Sequence, residues 1–258
     1  MKLDFEKALT FVTKDPAWVN KTLAGTGILM SIFAIFIVPL VMAIFAPKYA
    51  VGTVIVFGLC FLLSCILCCA LAGFVCETAN KRINYSNSIL PDWKDFGRHI
   101  VTGIKYFLGY MIYFLPVLLV TLLFLFVAAN FSVSVLVEPP VHNALSSILI
   151  FFTGVFAFFV YAAFIAFCPL MMANFFKDLK IVSFVDFKEA FGLLKGNISN
   201  YVVLLLLFIA LSVIAQILFY VLLITVIGII FMPFIYFYLY LVMADIASQF
   251  VHSAKEQD

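Results

Sequence analysis

Five of the six cysteines, Cys60, Cys65, Cys68, Cys69 and Cys76, fall within one apolar stretch. Thiolates are ligands for soft metals, so a metal site is the first chemistry they suggest. A complete ligand set would need a His or an acid along the same stretch, and none is present. The spacing instead describes a helix-packing ridge. Cys60, Ser64, Cys68, Ala72 and Cys76 recur every four residues, with Cys65, Cys69 and Gly73 in the adjacent row. This is the extended small-xxx-small pattern through which membrane helices approach one another. No metal and no cofactor is expected, and Cys168 stands apart with no disulfide framework around it.

Polar side chains inside apolar stretches are rare and are functional candidates by default. Glu77, Asn174 and Asp245 each close an apolar stretch on the same expected side, and Ser212, Gln216 and Tyr220 form a row on another. Converging, Glu77, Asn174, Asp245, Gln216 and Ser212 would make a polar cavity open to one side. The competing expectation is that these groups sit at interface depth, hydrated or paired with Lys81, Arg82 or Lys177. His99, His142 and His252 lie in separate segments. There is no phosphate-binding glycine loop, no metal-binding His cluster and no nucleophile beside a base, so the chain is expected not to be an enzyme.

The elements that carry these residues follow from the charge pattern. No Asp, Glu, Lys or Arg occurs between Lys21 and Lys48, Lys48 and Glu77, Lys105 and Glu138, Glu138 and Lys177, or Lys195 and Asp245. Each of the first four intervals exceeds the roughly 20 apolar residues that cross a bilayer as a helix. The fifth holds two crossings joined by a turn near Thr225 to Gly228. Spans are expected near 22–45, 50–76, 105–129, 144–172, 200–224 and 227–248, with Pro39, Pro116, Pro169 and Pro233 kinking four of them. Hydrophobic residues make up 66% of the chain and charged ones 11%, with mean hydropathy +1.23, which excludes an ordinary soluble domain. Weaving places fourteen of the fifteen Lys and Arg on one side, with Lys48 opposite. By the positive-inside rule both termini are then cytoplasmic, in the cell (inner) membrane. The first 21 residues mix acids and bases and predict no cleavable signal. On the far side the one sizeable loop is expected near 130–143, with Glu138, Pro139 and Pro140.

A repeated register precedes each odd span. Asp4 leads Phe5, Ala8, Leu9 and Val12; Asp92 leads Trp93, Phe96, Gly97 and Ile100; Asp186 leads Phe187, Ala190, Phe191 and Leu194. Positions i, i+3, i+4 and i+7 share one helical face, and lysines fall mostly on the other, as in helices lying in a membrane interface. Asp95 and Glu189 follow two of the leading acids by three residues, predicting capped starts, while Lys7 makes the first copy weaker. The fold class is thus all-α and polytopic, a single membrane domain over 1–258. Its six transmembrane helices form three hairpins, each preceded by a cytoplasmic interfacial amphipathic helix, in units of about 1–85, 86–180 and 181–258. Phe5, Trp18, Trp93, Phe96, Phe187 and Phe191 are the expected interfacial anchors.

The opening from Phe5 to Trp18 with Lys14, Asp15 and Pro16, the run Leu90, Pro91, Asp92, Trp93 leading to Gly103, and Asp186, Phe187 followed by Asn197 and Tyr201 resemble the domain-of-unknown-function family 4013. That family comprises bacterial and archaeal multi-pass membrane proteins. Its members often carry a second acid after the Trp, where this chain has Lys94, so the resemblance implies no essential acid there. It implies a fold and a location without an activity. A looser likeness to six-helix modules attached to glycerophosphodiesterases implies lipid-related roles. Two readings stand open: a non-enzymatic protein that organises membrane lipids or assists partner membrane proteins, and a small transporter or transporter subunit with a cytoplasm-facing polar cavity. Membrane lipids are the expected partners, self-association through the ridge is a further option, and nucleic acid is not expected.

Overall fold

A computed structural model describes residues 3–45, 49–85, 90–137 and 140–255; the side chains of 130–146, 226–227, 229–230 and 255 lie outside that description. So do Lys48, Glu138 and Pro139, on which the expectations for the far side partly rest. Among the described residues there are helices and no strands. A short helix α1 (Phe5–Thr10) leads into α2 (Trp18–Phe45), α3 (Ala50–Asn84), α4 (Phe96–Val137), α5 (Pro140–Asp178), a short α6 (Phe187–Leu194), α7 (Ile198–Leu223) and α8 (Val226–Lys255). The six long ones are apolar and long enough to cross a membrane. With six apolar helices this is a multi-pass membrane protein.

The even-numbered spans run further than hydropathy alone predicts, to Asn84, Asp178 and Lys255. Their last turns carry Asn80, Arg82, Lys177, Gln249 and Ser253, which bond to neighbouring segments and keep the backbone helical past the apolar limit. The far-side connection is shorter than 130–143, since the backbone stays helical to Val137 and resumes at Pro140. The tight turn between α7 and α8 is where the sequence places it. The Thr225 hydroxyl accepts from Gly228 N–H at 3.0 Å, and Thr225 N–H donates to the Leu222 carbonyl. Pro39, Pro116, Pro169 and Pro233 all lie inside helices.

The three leading acids differ in what they do. Asp4 accepts from Lys7 N–H at 2.9 Å and Asp186 from Glu189 N–H at 3.0 Å, each capping its short helix. The copy expected to be weak is therefore capped. Asp92 makes no side-chain cap; a tight 93–95 turn passes straight into α4. Here Trp93 turns inward, its ring stacked on Phe74 at 4.2 Å, so the segment cannot lie flat as a separate helix.

α3 and α8 form the centre. α3 packs against α2, α4, α5 and α8, while α8 also meets α2, α5 and α7. In the most apolar window of α8, 61% of residues are buried, against 6% in α2, α4 and α5, so α8 is the pillar the others surround. α3 and α4 cross backbone to backbone. A Cβ on Gly73 would run into the His99 carbonyl, and one on Gly103 into the Cys69 carbonyl. Only glycine permits that approach. The buried core gathers Phe74, Phe175, Phe184, Leu241, Phe250 and their neighbours towards the end of the bundle that carries the termini.

Candidate functional site

Polar chemistry concentrates at that same end. Glu77, one helical turn below Gly73, is buried at 3% exposure because the glycine contact brings α4 against it. Its Oε1 accepts from Thr102 Oγ1 at 2.9 Å and lies 3.3 Å from His99 Nδ1. Its Oε2 lies 3.4 Å from Arg98 Nε, a guanidinium that is 62% exposed. His99 is itself buried, with Nε2 2.9 Å from the Asp92 carbonyl; a carbonyl can only accept, so Nε2 carries the proton. One carboxylate thus ties α3 to the first two turns of α4, and the His99 ring ties α4 to the turn before it.

Asp245 forms a second node. It is fully buried on α8; Arg82 Nε of α3 donates to its Oδ1 at 2.6 Å, and Gln249 Nε2 to its Oδ2 at 2.8 Å. The Gln249 amide also accepts from Asp4 N–H at 2.8 Å and donates to the Asp4 carbonyl at 3.0 Å. The Arg82 guanidinium sits 5.3 Å from the Phe11 ring centroid, a cation–π distance. The start of the chain is therefore docked on α8 through the same carboxylate that binds α3 to α8. Tyr238 adds a hydroxyl donated to the Leu9 carbonyl.

Asn174 belongs to a third group on α5. Its Nδ2 donates to the Ser183 carbonyl at 2.9 Å, holding the 181–184 turn against the helix, and its Oδ1 is buried with no partner among the described residues. Nearby, Asn80 Nδ2 donates to the carbonyls of Phe176 and Lys177, and Lys177 pairs with Glu189 of α6. Asn197 joins the foot of α7 to α8 through Ser253 Oγ at 3.1 Å.

No hydrogen bond or ion pair among the described residues links Glu77, Asn174 and Asp245 to one another. Ser212 and Gln216 are exposed on α7, because that helix buries Tyr201, Leu204, Leu211 and Ala215, a row one step away; Tyr220 is exposed too. In the cysteine ridge Ser64 and Cys76 are buried, while Cys60, Cys68 and Ala72 are half-buried. The closest crossing uses the neighbouring row of Cys69 and Gly73. Among the described residues no group of three His, Cys, Asp or Glu is placed to hold a metal ion. Of the anchors, Phe5, Phe187 and Phe191 are exposed, whereas Trp18, Trp93 and Phe96 are half-buried.

Sequence reasoning overlooked an interlock between the start of α2 and the 90–95 segment. Asp15 Oδ1 accepts from Ala17 N–H at 2.7 Å, and its Oδ2 from Lys21 Nζ at 2.9 Å and Leu90 N–H at 3.0 Å. Lys21 Nζ also donates to the Leu90 carbonyl, and Trp93 Nε1 to the Lys21 carbonyl at 2.8 Å. The available signal was that Asp15 with Pro16 and Leu90 with Pro91 both belong to the runs that carry the family resemblance.

Residues 56–224, well over half of the chain, match the family model described as Protein of unknown function (DUF4013). No curated protein and no solved structure matches the chain. The polar nodes on α3, α4 and α5 fall within the matched stretch, while Asp15 and Asp245 lie outside it. By that match the chain belongs to the DUF4013 family.

Proposed function

We propose that this protein is a non-catalytic organiser of the membrane around it, acting on lipids and through them on partner membrane proteins. The observation that carries the reading is the fate of the intramembrane polar groups. Glu77, Asn174 and Asp245 are each engaged by a neighbouring segment, and Ser212 and Gln216 face outward, so they supply struts between helices in place of a shared path. Among the described residues the buried carboxylates of Glu77 and Asp245 are bonded to different segments, Glu77 to Thr102 and Asp245 to Arg82 and Gln249, which argues against lipid hydrolysis by a pair of acids.

What remains free is the collar at the end that carries the termini. Phe5, Phe187 and Phe191 are exposed there on the two short helices, beside Lys7, Lys188 and Lys195. Apolar rings flanked by lysines suit the boundary between acyl chains and anionic headgroups, and a lysine near such a surface contributes about 1 kcal/mol. In this reading α1 and α6 are interfacial amphipathic helices, the spans pair as three hairpins, and the lysine-rich end is cytoplasmic.

The test reconstitutes the full chain in vesicles containing anionic lipid and reads acyl-chain order by deuterium NMR. The parent chain is expected to raise order in its shell. The triple variant Phe5→Asp, Phe187→Asp, Phe191→Asp should remove that effect while leaving thermal unfolding in place. Unchanged order in parent and variant alike, or solute flux that Asp245→Asn abolishes, would overturn the reading.

A further inference from the structure

Between the foot of α2 and the 93–95 turn lies an interfacial groove of about 530 Å³. Its walls are held by the interlock described above: Asp15 and Lys21 are both bonded to Leu90, and Trp93 is fixed by its N–H on the Lys21 carbonyl and by stacking on Phe74. A site whose walls are already ordered loses little conformational freedom on binding. Ala17 and Ala24 give it a small, apolar lining that continues down α2 into the span.

The rim is different. Asn20, Asp92 and Lys94 are exposed, and their side chains make no hydrogen bond or ion pair among the described residues. One carboxylate, one ammonium and one amide therefore open onto one groove at the membrane boundary, where Trp18 and Trp93 also sit. Charge complementarity selects an occupant carrying one anion and one cation, and the Asp92 carboxylate favours a cation with N–H donors. An apolar tail must leave the groove along Ala24. We infer that this groove binds the headgroup of phosphatidylethanolamine, its phosphate on Lys94 and Asn20 and its primary ammonium on Asp92.

A choline headgroup has the same charges but no N–H to donate. A glycerol headgroup has no cation and leaves Asp92 facing a phosphate. The assignment rests on the lipid-organising reading and names the lipid it would favour.

Native mass spectrometry of the full chain in detergent, titrated with phosphatidylethanolamine, phosphatidylcholine and phosphatidylglycerol of identical acyl chains, tests it. The parent chain should retain phosphatidylethanolamine on the order of 10-fold more tightly than phosphatidylcholine, a difference of about 1.4 kcal/mol. Asp92→Asn and Lys94→Gln should each bring it to the phosphatidylcholine level, with thermal unfolding unchanged because both side chains are exposed. Equal retention of the three lipids by the parent, or full selectivity in the Asp92→Asn, Lys94→Gln double variant, would overturn the site. If vesicle lipid order still responds to the protein in that case, the groove assignment alone falls. If order fails to respond as well, the wider reading falls with it.

Discussion

The two ends of this bundle are built from the same helices and obey different rules. Towards the termini, α3, α4, α5 and α8 bury Glu77, His99, Asn174, Asp245 and Gln249, and every one of these side chains bonds a neighbouring segment. Towards the far end α3, α4 and α5, with α2 beside them, present Phe57, Phe126, Phe151, Phe158, Phe33 and Ile37 outward. Lipid is as apolar as these side chains, so burying them yields no hydrophobic gain between helices. Association in a bilayer instead comes from close packing and interhelical hydrogen bonds, and both are found where the glycine crossing and the polar nodes are.

The end that carries the termini depends most on that crossing. Gly73→Ala should prevent α3 and α4 from meeting, since the added methyl runs into the His99 carbonyl, which cannot move without α4. Little folded protein is expected by size-exclusion chromatography. Gly58→Ala, on the same helix with nothing near its Cα, should leave stability within about 0.5 kcal/mol. Equal behaviour of the two variants would show that the crossing does not hold the bundle together.

Asp245→Ala comes next. It removes the carboxylate that receives both Arg82 and Gln249, and breaking a buried pair from one side costs on the order of 3–5 kcal/mol. Because Gln249 also holds Asp4, the loss should spread: α1 should become cleavable by protease before the spans unfold. Limited proteolysis read at the N-terminal segment checks this. An N-terminal segment as resistant as in the parent would mean that Gln249 holds it without help from Asp245.

How far these features are visible in the amino-acid order depends on their range. The six spans follow from gaps between charges, a local property, and so does the Thr225 turn. The family likeness rested on runs such as Leu90 to Trp93, which the match to residues 56–224 includes. Pairing is not local. Arg82 was one of three bases, with Lys81 and Lys177, offered as partners for the polar groups, and nothing along the chain selects it for Asp245 across 163 positions. Helix rotation is also hidden, because α7 is apolar on every side; which row faces α8 was decided by Leu204, Leu211 and Ala215, leaving Ser212 and Gln216 outside. Trp93 reads equally well as an interfacial anchor, and only the Phe74 ring on α3 explains why it turns in.

Trp93 stands between the two environments, packed on Phe74 and bonded to the Lys21 carbonyl while half-buried. Trp93→Phe keeps a ring against Phe74 but deletes the N–H that the Lys21 carbonyl accepts. A lost hydrogen bond of this type costs about 1 kcal/mol, which should lower the unfolding midpoint by a few degrees. A midpoint equal to that of the parent chain would show that stacking alone seats the 93–95 turn.

The smallest effect is expected at Gln216. It is a polar side chain exposed on α7 within the apolar stretch, with no hydrogen bond among the described residues. Towards the termini such an amide is bonded, as Asn80 and Gln249 are; here it faces the membrane. Gln216→Leu removes a polar group from lipid and breaks no contact, so stability should stay equal or rise by up to about 1 kcal/mol, with no change in sedimentation of the detergent-solubilised protein. A loss of stability together with slower sedimentation would mean that α7 meets a second copy through this amide. The contrast between the two ends would then narrow in the assembly, because polar bonds from a second copy would add to the Tyr236–Ala215 and Thr121–Tyr161 bonds that already join helices away from the termini.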